Sequence, residues 1–349
     1  MDLNKRVCNE AQEALWNRFW DEKEGVFVNH YPVKTEENWI YWWHAHVLDA
    51  LLDGYLRTKD SIYLERFRKE YEGTYQKNGD TFLHNWYDDM EWMALALLRA
   101  YDITGESKYR DQVRIIWEDI KTAWNDHCGG GMAWKKDQRD YKNTPANAPA
   151  AIIAFRLYQR FGEDEDLKWG KKILKWNLEN LMDPETNFVW DGMNRMGDGK
   201  VDYDWKFTYC QGVVVGAALE YYNITKDKEY LKLAGEVARR AVTELADEEG
   251  IFPYEGEDDC GLFRGIYFRY VYELTAESDE FADLEKVILK NARFLAKNGR
   301  NADGLIGGHW ERRTEETVDL AQHLSAVMVL EMAEKLLEEN EYEKNTFDL

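Results

Sequence analysis

NWYDDMEWMALALLRAY, residues 85–101, decides how the rest of this chain is read. It opens on polar and aromatic residues and turns into an apolar helix. Met90, Met93, Ala94, Leu97, Leu98 and Tyr101 recur at three- and four-residue spacing, as a buried helical face requires. No Gly or Pro interrupts it. Two adjacent carboxylates, Asp88 and Asp89, stand at its head among Trp86, Tyr87, Glu91 and Trp92. Acids are favoured in a first helical turn, where unpaired N–H groups face outward. Taken alone, such a pair reads as a helix cap and its neighbour. The remainder of the chain gives it a second reading.

The same unit recurs along the sequence: an apolar helix, a short turn, then an amphipathic helix. The apolar helices are expected at Trp42–Leu56, Asp88–Tyr101, Pro149–Phe161, Gly212–Asn223, Gly265–Leu274 and Leu320–Leu337. Short turns follow the first five, as in RTKDSIYLERF from Arg57 and ITGESKYRDQV from Ile103. The sixth lacks a downstream partner, which the N-terminal helix Asp2–Trp20 can supply. Twelve helices in six hairpins, closed by the first helix, predict an all-α (α/α)6 barrel with an inner and an outer layer. No linker or composition break divides the chain, so residues 1–349 are expected to form a single catalytic domain. The acidic tail from Glu334 is expected to fray into solvent.

Composition narrows the partners. The net charge of −22, from 67 acidic and 45 basic residues, opposes nucleic acid and anionic membranes. Cys8, Cys128, Cys210 and Cys260 lie far apart, with no CxxC and no Cys/His cluster. No apolar run is long enough to cross a bilayer. The first twenty residues lack a signal-peptide pattern. The expectation is a cytoplasmic monomer without metal or cofactor, or a secreted one if a leader has been removed.

The long connections, such as KNGDTFLHNWY from Lys77 and NDHCGGGMAW from Asn125, all lead into the inner helices. They therefore gather on one face of the ring, where functional residues are favoured. The first brings Trp39, Trp42, Trp43, His44 and His46. The second brings His84, Asn85, Trp86, Asp88 and Asp89, and the third Trp134, Asn143 and Asn147. The fourth brings Tyr203, Asp204, Trp205, Tyr209 and Gln211. The fifth brings Asp258, Asp259, Phe263, Arg264 and Arg269, and the sixth His309, Trp310, Glu311, Asp319, Gln322 and His323. Rings to stack on sugars, with amides and carboxylates for hydroxyls, describe a carbohydrate cleft.

On such a face Asp88 and Asp89 read as a glycosidase pair. Retaining enzymes hold their two carboxyls about 5–5.5 Å apart and inverting ones about 6.5–9.5 Å apart. Neighbouring helical residues diverge by about 100°, but in the terminal turn both can lean over one target at the retaining distance. Spacing does not say which Asp takes which role. Asp258–Asp259 reads as a turn or a substrate contact. CGGGMAW from Cys128 lacks the GK[ST] of a phosphate loop and reads as a flexible loop that brings backbone close to a ligand. Cys210 has no base partner. Two alternatives stand beside the glycosidase. One is a sugar isomerase or epimerase using His44, His309 or His323. The other is a glycan-binding protein without catalysis.

The run NWYDDMEWMALALLRAYDITGESKY resembles the signature of glycoside hydrolase family 76, the α-1,6-mannanases. YWWHAHVLDALLDGY, CGGGMAWKKDQRDYKNTPANAPA, FTYCQGVVVGAALEYY and GLFRGIYFRYV resemble the same family in the same order, over about residues 39 to 330. The resemblance implies a six-hairpin α/α barrel that hydrolyses internal α-1,6-mannosidic bonds with retention and needs no metal. It matches Asp88 to the nucleophile and Asp89 to the general acid/base. It also points to Trp86, Asn143, Asn147, Tyr209, Gln211 and Arg269 as cleft residues. Two positions depart from the family pattern: Cys210 where Asn is usual, and Arg264 where Lys is common.

Overall fold

The helices expected from apolar spacing are all present in the computed structural model, which describes residues 5–33, 39–314 and 317–347. The first helices of five hairpins are α2 (Tyr41–Thr58), α4 (Tyr87–Thr104), α6 (Thr144–Phe161), α8 (Thr208–Thr225) and α10 (Phe263–Thr275). Their partners are α3 (Ser61–Lys77), α5 (Ser107–Lys121), α7 (Asp164–Leu181), α9 (Lys228–Leu245) and α11 (Ala282–Asn298). Helices α1 (Lys5–Phe19) and α12 (Leu320–Phe347) lie at the two ends of the sequence.

The repeated turns have one physical basis. Helices α2, α4, α6 and α8 end at Lys59, Gly105, Gly162 and Lys226, each in the left-handed region. The backbone N–H of each of these residues bonds the carbonyl four residues back, which closes the helix. The two members of a hairpin differ in burial. Helix α5 is buried along one stripe, Tyr109, Val113, Ile116, Trp117 and Ile120, whereas α6 is buried nearly all round.

The chain divides into two compact units. Unit 2, residues 75–245, holds the hairpins α4/α5, α6/α7 and α8/α9, with α6 packed on both α4 and α8. Its small antiparallel sheet joins β4 (Ala133–Lys135), β5 (Gln138–Asn143) and β6 (Gly192–Met193). In register, Ala133 pairs with Lys142 and Lys142 with Met193. Unit 1, residues 1–74 with 246–349, holds α1, α2/α3, α10/α11 and α12. Helix α12 touches α10, α2 and α1, so the first helix does supply the last one's partner. Four two-residue strands make two pairs in this unit: β1 (Trp20–Asp21) with β2 (Val26–Phe27), and β3 (His30–Tyr31) with β7 (Val318–Asp319).

Three expectations need correction. Helix α6 begins at Thr144, not Pro149; Pro145 occupies the first turn, where a missing N–H costs nothing, and Pro149 lies inside the helix. The tail does not fray from Glu334. Helix α12 continues to Phe347, with Leu336 buried and Lys335 paired to Asp53 at 2.9 Å. The N-terminal helix starts at Lys5, and residues 2–4 lie outside the described residues.

Buried polar side chains hold the long connections in place. Asn147 takes Met132 in both directions: Met132 N–H donates to Oδ1 at 2.8 Å, and Nδ2 donates to Met132 O at 3.2 Å. Gln211 does the same to Val189, at 2.9 and 2.6 Å. Asn291 accepts Phe252 N–H and donates to Gly250 O, and His323 Nδ1 accepts Ile306 N–H. Met132, Val189 and Ile306 have only an isolated bridge on one side, to Trp124, Met182 and Arg300, so buried side chains satisfy the backbone groups on the other.

Candidate active site

Helix α4 starts where the chain leaves a small sheet. Trp86 bridges Lys135, and Lys136 N–H donates to Asn85 O at 2.9 Å. The N-cap of α4 is Trp86, extended and without a side-chain cap bond, so neither Asp88 nor Asp89 is a cap. Both stand in the first turn and both are half-buried.

Their surroundings differ. Asp88 accepts Asp89 N–H at Oδ1, 3.0 Å, and the Trp134 indole N–H at Oδ2, 2.9 Å. Asp89 Oδ2 lies 3.1 Å from His84 Nδ1. Burial, and then the Lys136 charge, push His84 down to about 4, so this imidazole is neutral at pH 7. Its ring stacks on Trp86, 5.0 Å between centroids. Lys135 Nζ sits 5.1 Å from the Trp134 ring and 5.6 Å from that of Trp86.

One turn further along α4, Glu91 is completely buried. Burial, and then the Asp88 charge, hold it well above the usual carboxylate range. Behind Trp134, the Tyr141 ring meets the indole edge-on at 5.7 Å. The Tyr141 hydroxyl donates to Asp191 Oδ2 at 2.9 Å, and the Tyr209 hydroxyl donates to Oδ1 at 2.8 Å. Burial raises Asp191, and the buried Cys210 thiol also reaches its Oδ1, at 3.5 Å.

The glycine loop serves packing. Cys128, Gly129, Gly130 and Gly131 all have positive φ. A Cβ on Gly131 would lie 2.7 Å from the Trp176 ring, so this loop brings its backbone onto tryptophan instead of opening it to a ligand. Lys142 Nζ donates to Gly131 O at 2.8 Å, and burial pushes that ammonium down to about 7.

Unit 1 contains the other residues singled out from the sequence. Asp259 Oδ1 accepts the indole N–H groups of Trp42, at 2.8 Å, and Trp43, at 3.3 Å. Arg264 is fully buried and stacks on Trp310 at 3.5 Å, with its guanidinium donating to the carbonyls of Phe252 and Gly308. Arg269 pairs with Asp49 at 3.1 Å and Asp53 at 2.7 Å. His44 Nδ1 lies 2.6 Å from Glu70 with both side chains wholly buried. His323 has Ile306 N–H on one ring nitrogen and Ala11 O at the other.

The structure therefore separates the sequence candidates. It brings Asp88, Asp89, Trp86, Trp134 and His84 together at the start of α4. It places Asn147, Gln211 and Arg264 on backbone groups, and Tyr209, Arg269 and His44 on buried acids. Asn143, N-cap of α6, is buried with its Oδ1 unpartnered among the described residues. Trp134 and His84 belong to the expected face but had no assigned role. Asp191 and Tyr141 carried no sequence signal, since each reads as an ordinary loop residue.

The chain matches the model of Glycosyl hydrolase family 76 over residues 4–345. It is 40% identical to the Lin0763 protein from Listeria innocua, covering 97% of this chain and 99% of that one, with a TM-score of 0.92. It is 38% identical to the GH76A alpha-1,6-mannanase from Salegentibacter sp. HEL1_6, covering 95% and 99%, with a TM-score of 0.91. An inactive variant of that mannanase, with two consecutive aspartates changed to asparagine, was solved in complex with alpha-1,6-mannotriose and aligns with a TM-score of 0.90 at 37% identity, covering 94% and 98%. Among curated proteins, Mannan endo-1,6-alpha-mannosidase DCW1 of Candida albicans is 25% identical over 122 residues, a match spanning 33% of this chain and 27% of that protein. Among the described residues no helix is long and apolar enough to cross a membrane. A family match from end to end, six helical hairpins in the expected order and an adjacent Asp pair at the head of α4 agree: this chain belongs to glycosyl hydrolase family 76, and its fold class is the all-α (α/α)6 barrel.

Proposed function

We propose that this family-76 glycoside hydrolase cleaves α-1,6-mannosidic bonds in mannan or manno-oligosaccharides, with retention of configuration. The observation that carries the reading is the unlike setting of two adjacent carboxyls. Asp88 accepts an indole N–H and a backbone N–H. Donors of this kind favour the ionised form, which suits a nucleophile. Asp89 faces a neutral imidazole instead. It can carry the proton that a general acid needs.

In the first step Asp88 attacks the anomeric carbon and the glycosidic C–O bond breaks. Asp89 gives its proton to the departing oxygen, leaving a mannosyl ester on Asp88. In the second step Asp89 takes a proton from water, and the water oxygen replaces Asp88 at the anomeric carbon. Within unit 2, Trp86 supplies a stacking surface and Asn143 a polar atom for hydroxyls; within unit 1, Trp42 and Asp259 form an indole–carboxylate pair of the kind that contacts sugars. His44, Asn147, Tyr209, Gln211, Arg264 and Arg269 act from behind, by fixing backbone or buried charge. The isomerase alternative loses two of its three candidate bases, since His44 is committed to Glu70 and His323 to the backbone, while His309 lies half-exposed 2.9 Å from Glu311. A single catalytic domain, a monomeric state and a cytoplasmic location complete the proposal, the first supported by the family match over 4–345 and the last by four free cysteines.

The test is incubation with α-1,6-mannotetraose, followed by NMR from the first turnover. An α-anomer as the initial product is the expected result. A β-anomer would exclude the double displacement, and no cleavage of any α-mannoside would exclude the substrate class.

A further inference from the structure

We infer that Trp134 is a positioning residue for the nucleophile: its indole N–H holds Asp88 ionised and aimed, with Tyr141 and Asp191 bracing the ring from behind. The inference deepens the proposed function and rests on Asp88 being the nucleophile. The geometry is a continuous line within unit 2. Asp191 Oδ2 accepts the Tyr141 hydroxyl at 2.9 Å. The Tyr141 ring stands at 86° to the Trp134 ring, edge to face, which stops the indole from turning. The indole N–H ends the line on Asp88 Oδ2 at 2.9 Å. Trp134 belongs to β4, whose neighbour Lys135 is bridged to Trp86 at the start of α4, so donor and acceptor are tied to one frame.

An indole can donate but cannot accept or ionise. It therefore distinguishes the two states of Asp88 in a way that a hydroxyl would not. It bonds the carboxylate strongly, as a charge-assisted donor, and it gains little from a protonated acid or an ester oxygen. The other charges facing Asp88 are Asp89 and Glu91 on its own helix, His84 on the segment leading into it, and Lys135 and Lys136 on the β4–β5 hairpin. Burial raises Glu91 well above the usual carboxylate range, and His84 is neutral at pH 7. Asp89 opposes ionisation of Asp88, while Lys135 pairs with Asp137 at 3.5 Å and Lys136 with Asp119 at 2.6 Å. Beside the backbone N–H of Asp89 on Oδ1, Trp134 supplies a directed side-chain bond on Oδ2. It touches the reaction through Asp88, not through the sugar.

Two measurements test this. The first needs no substrate. In a ¹⁵N-indole spectrum, assigned by the loss of one signal in Trp134→Phe, the Trp134 N–H should lie downfield. It should move upfield in Asp88→Asn, and the same movement should follow acidification of the wild type. A Trp134 signal indifferent to both changes overturns the inference, whatever the polymer cleaved. The second is the pH profile of kcat/KM on α-1,6-mannotetraose. Trp134→Phe should shift the acid limb upward by about one pH unit and leave the basic limb in place. A merely structural tryptophan would lower the whole profile without moving it, and that result also overturns the inference. Should Trp134→Phe fold poorly, β-(3-benzothienyl)alanine at 134 keeps the ring shape and removes only the N–H. The same acid-limb shift is expected there. An active wild type with an unmoved limb sinks the role of Trp134 alone, whereas an inactive wild type sinks the substrate reading while the indole spectrum still decides the hydrogen bond.

Discussion

Two Asp–Asp pairs occur at comparable places in this chain, and they are built differently. Asp88–Asp89 stands in the first turn of an 18-residue helix in unit 2. Asp258–Asp259 stands in a 3-10 turn before α10 in unit 1, with Asp258 in the left-handed region at φ 54°. Both pairs draw tryptophan indoles. Asp259 takes two on the same oxygen, from Trp42 and Trp43, and Asp258 stays exposed in the turn. Asp88 and Asp89 each have a partner of their own, an indole for one and a neutral imidazole for the other. Acid–base chemistry needs two carboxyls with unlike proton affinities, and unlike partners supply them. The dipeptide alone therefore teaches little; what stands behind each oxygen teaches more.

The comparison breaks most easily at the pairs themselves. Asp88→Asn and Asp89→Asn should each lower kcat on α-1,6-mannotetraose by roughly 10³-fold or more, with melting temperatures close to wild type. Asp259→Asn should leave kcat within about threefold and alter KM, because an amide oxygen still accepts the two indoles. Comparable losses of kcat in all three variants would mean that the two pairs share the chemistry. Full activity in Asp88→Asn would remove the proposed nucleophile.

The second prediction concerns two residues that resemblance points to as cleft residues and whose amides bond buried backbone. Asn147 and Gln211 spend their amides on Met132 and Val189, fully buried. Replacing either with an apolar residue strands a buried backbone N–H and carbonyl, at about 2–4 kcal/mol. Denaturant unfolding of Asn147→Ala and Gln211→Leu should show that loss, and the folded fraction should keep a KM near wild type. A raised KM at unchanged stability would return both residues to the sugar.

These outcomes bear on what a sequence can show. The hairpins were legible because the same physical requirement repeats: an apolar helix, a left-handed closing residue and an amphipathic partner. Lys59, Gly105, Gly162 and Lys226 make that repeat visible even where Gly is absent. The Asp pair was legible because two acids and several tryptophans ahead of a buried helix are unusual together. The backbone clamps were not. An Asn or Gln that binds a main chain looks the same in sequence as one that binds a sugar, since both tasks need one donor and one acceptor. Trp134 and His84 could be placed on the right face, but their partners depend on distances that only the fold sets. The glycine run misled for a related reason, because positive φ serves a tight approach to Trp176 as well as to any ligand.

The last prediction uses what lies beneath the pair. One turn along α4 from Asp88 is Glu91, whereas the equivalent step from Asp259 reaches the apolar Leu262. Glu91 is buried, and burial together with the Asp88 charge holds it well above the usual carboxylate range. In the unfolded chain a Glu titrates near about 4.3. Above that pH the folded protein must keep a proton that the unfolded chain has released. Wild-type stability is therefore lost as pH rises from about 4.3 toward the folded value, with a limiting slope of about 1.4 kcal/mol per pH unit. Glu91→Gln has the shape of the protonated acid and titrates nowhere. Its stability should equal that of wild type near pH 4 and exceed it increasingly toward neutral pH, with kcat little changed. Parallel unfolding curves from pH 4 to 8 would show that Glu91 is ionised in the fold. A stabilised variant with full activity would show instead that the proposed nucleophile stands above a neutral acid, so that the charge at the head of α4 belongs to Asp88 and Asp89 alone.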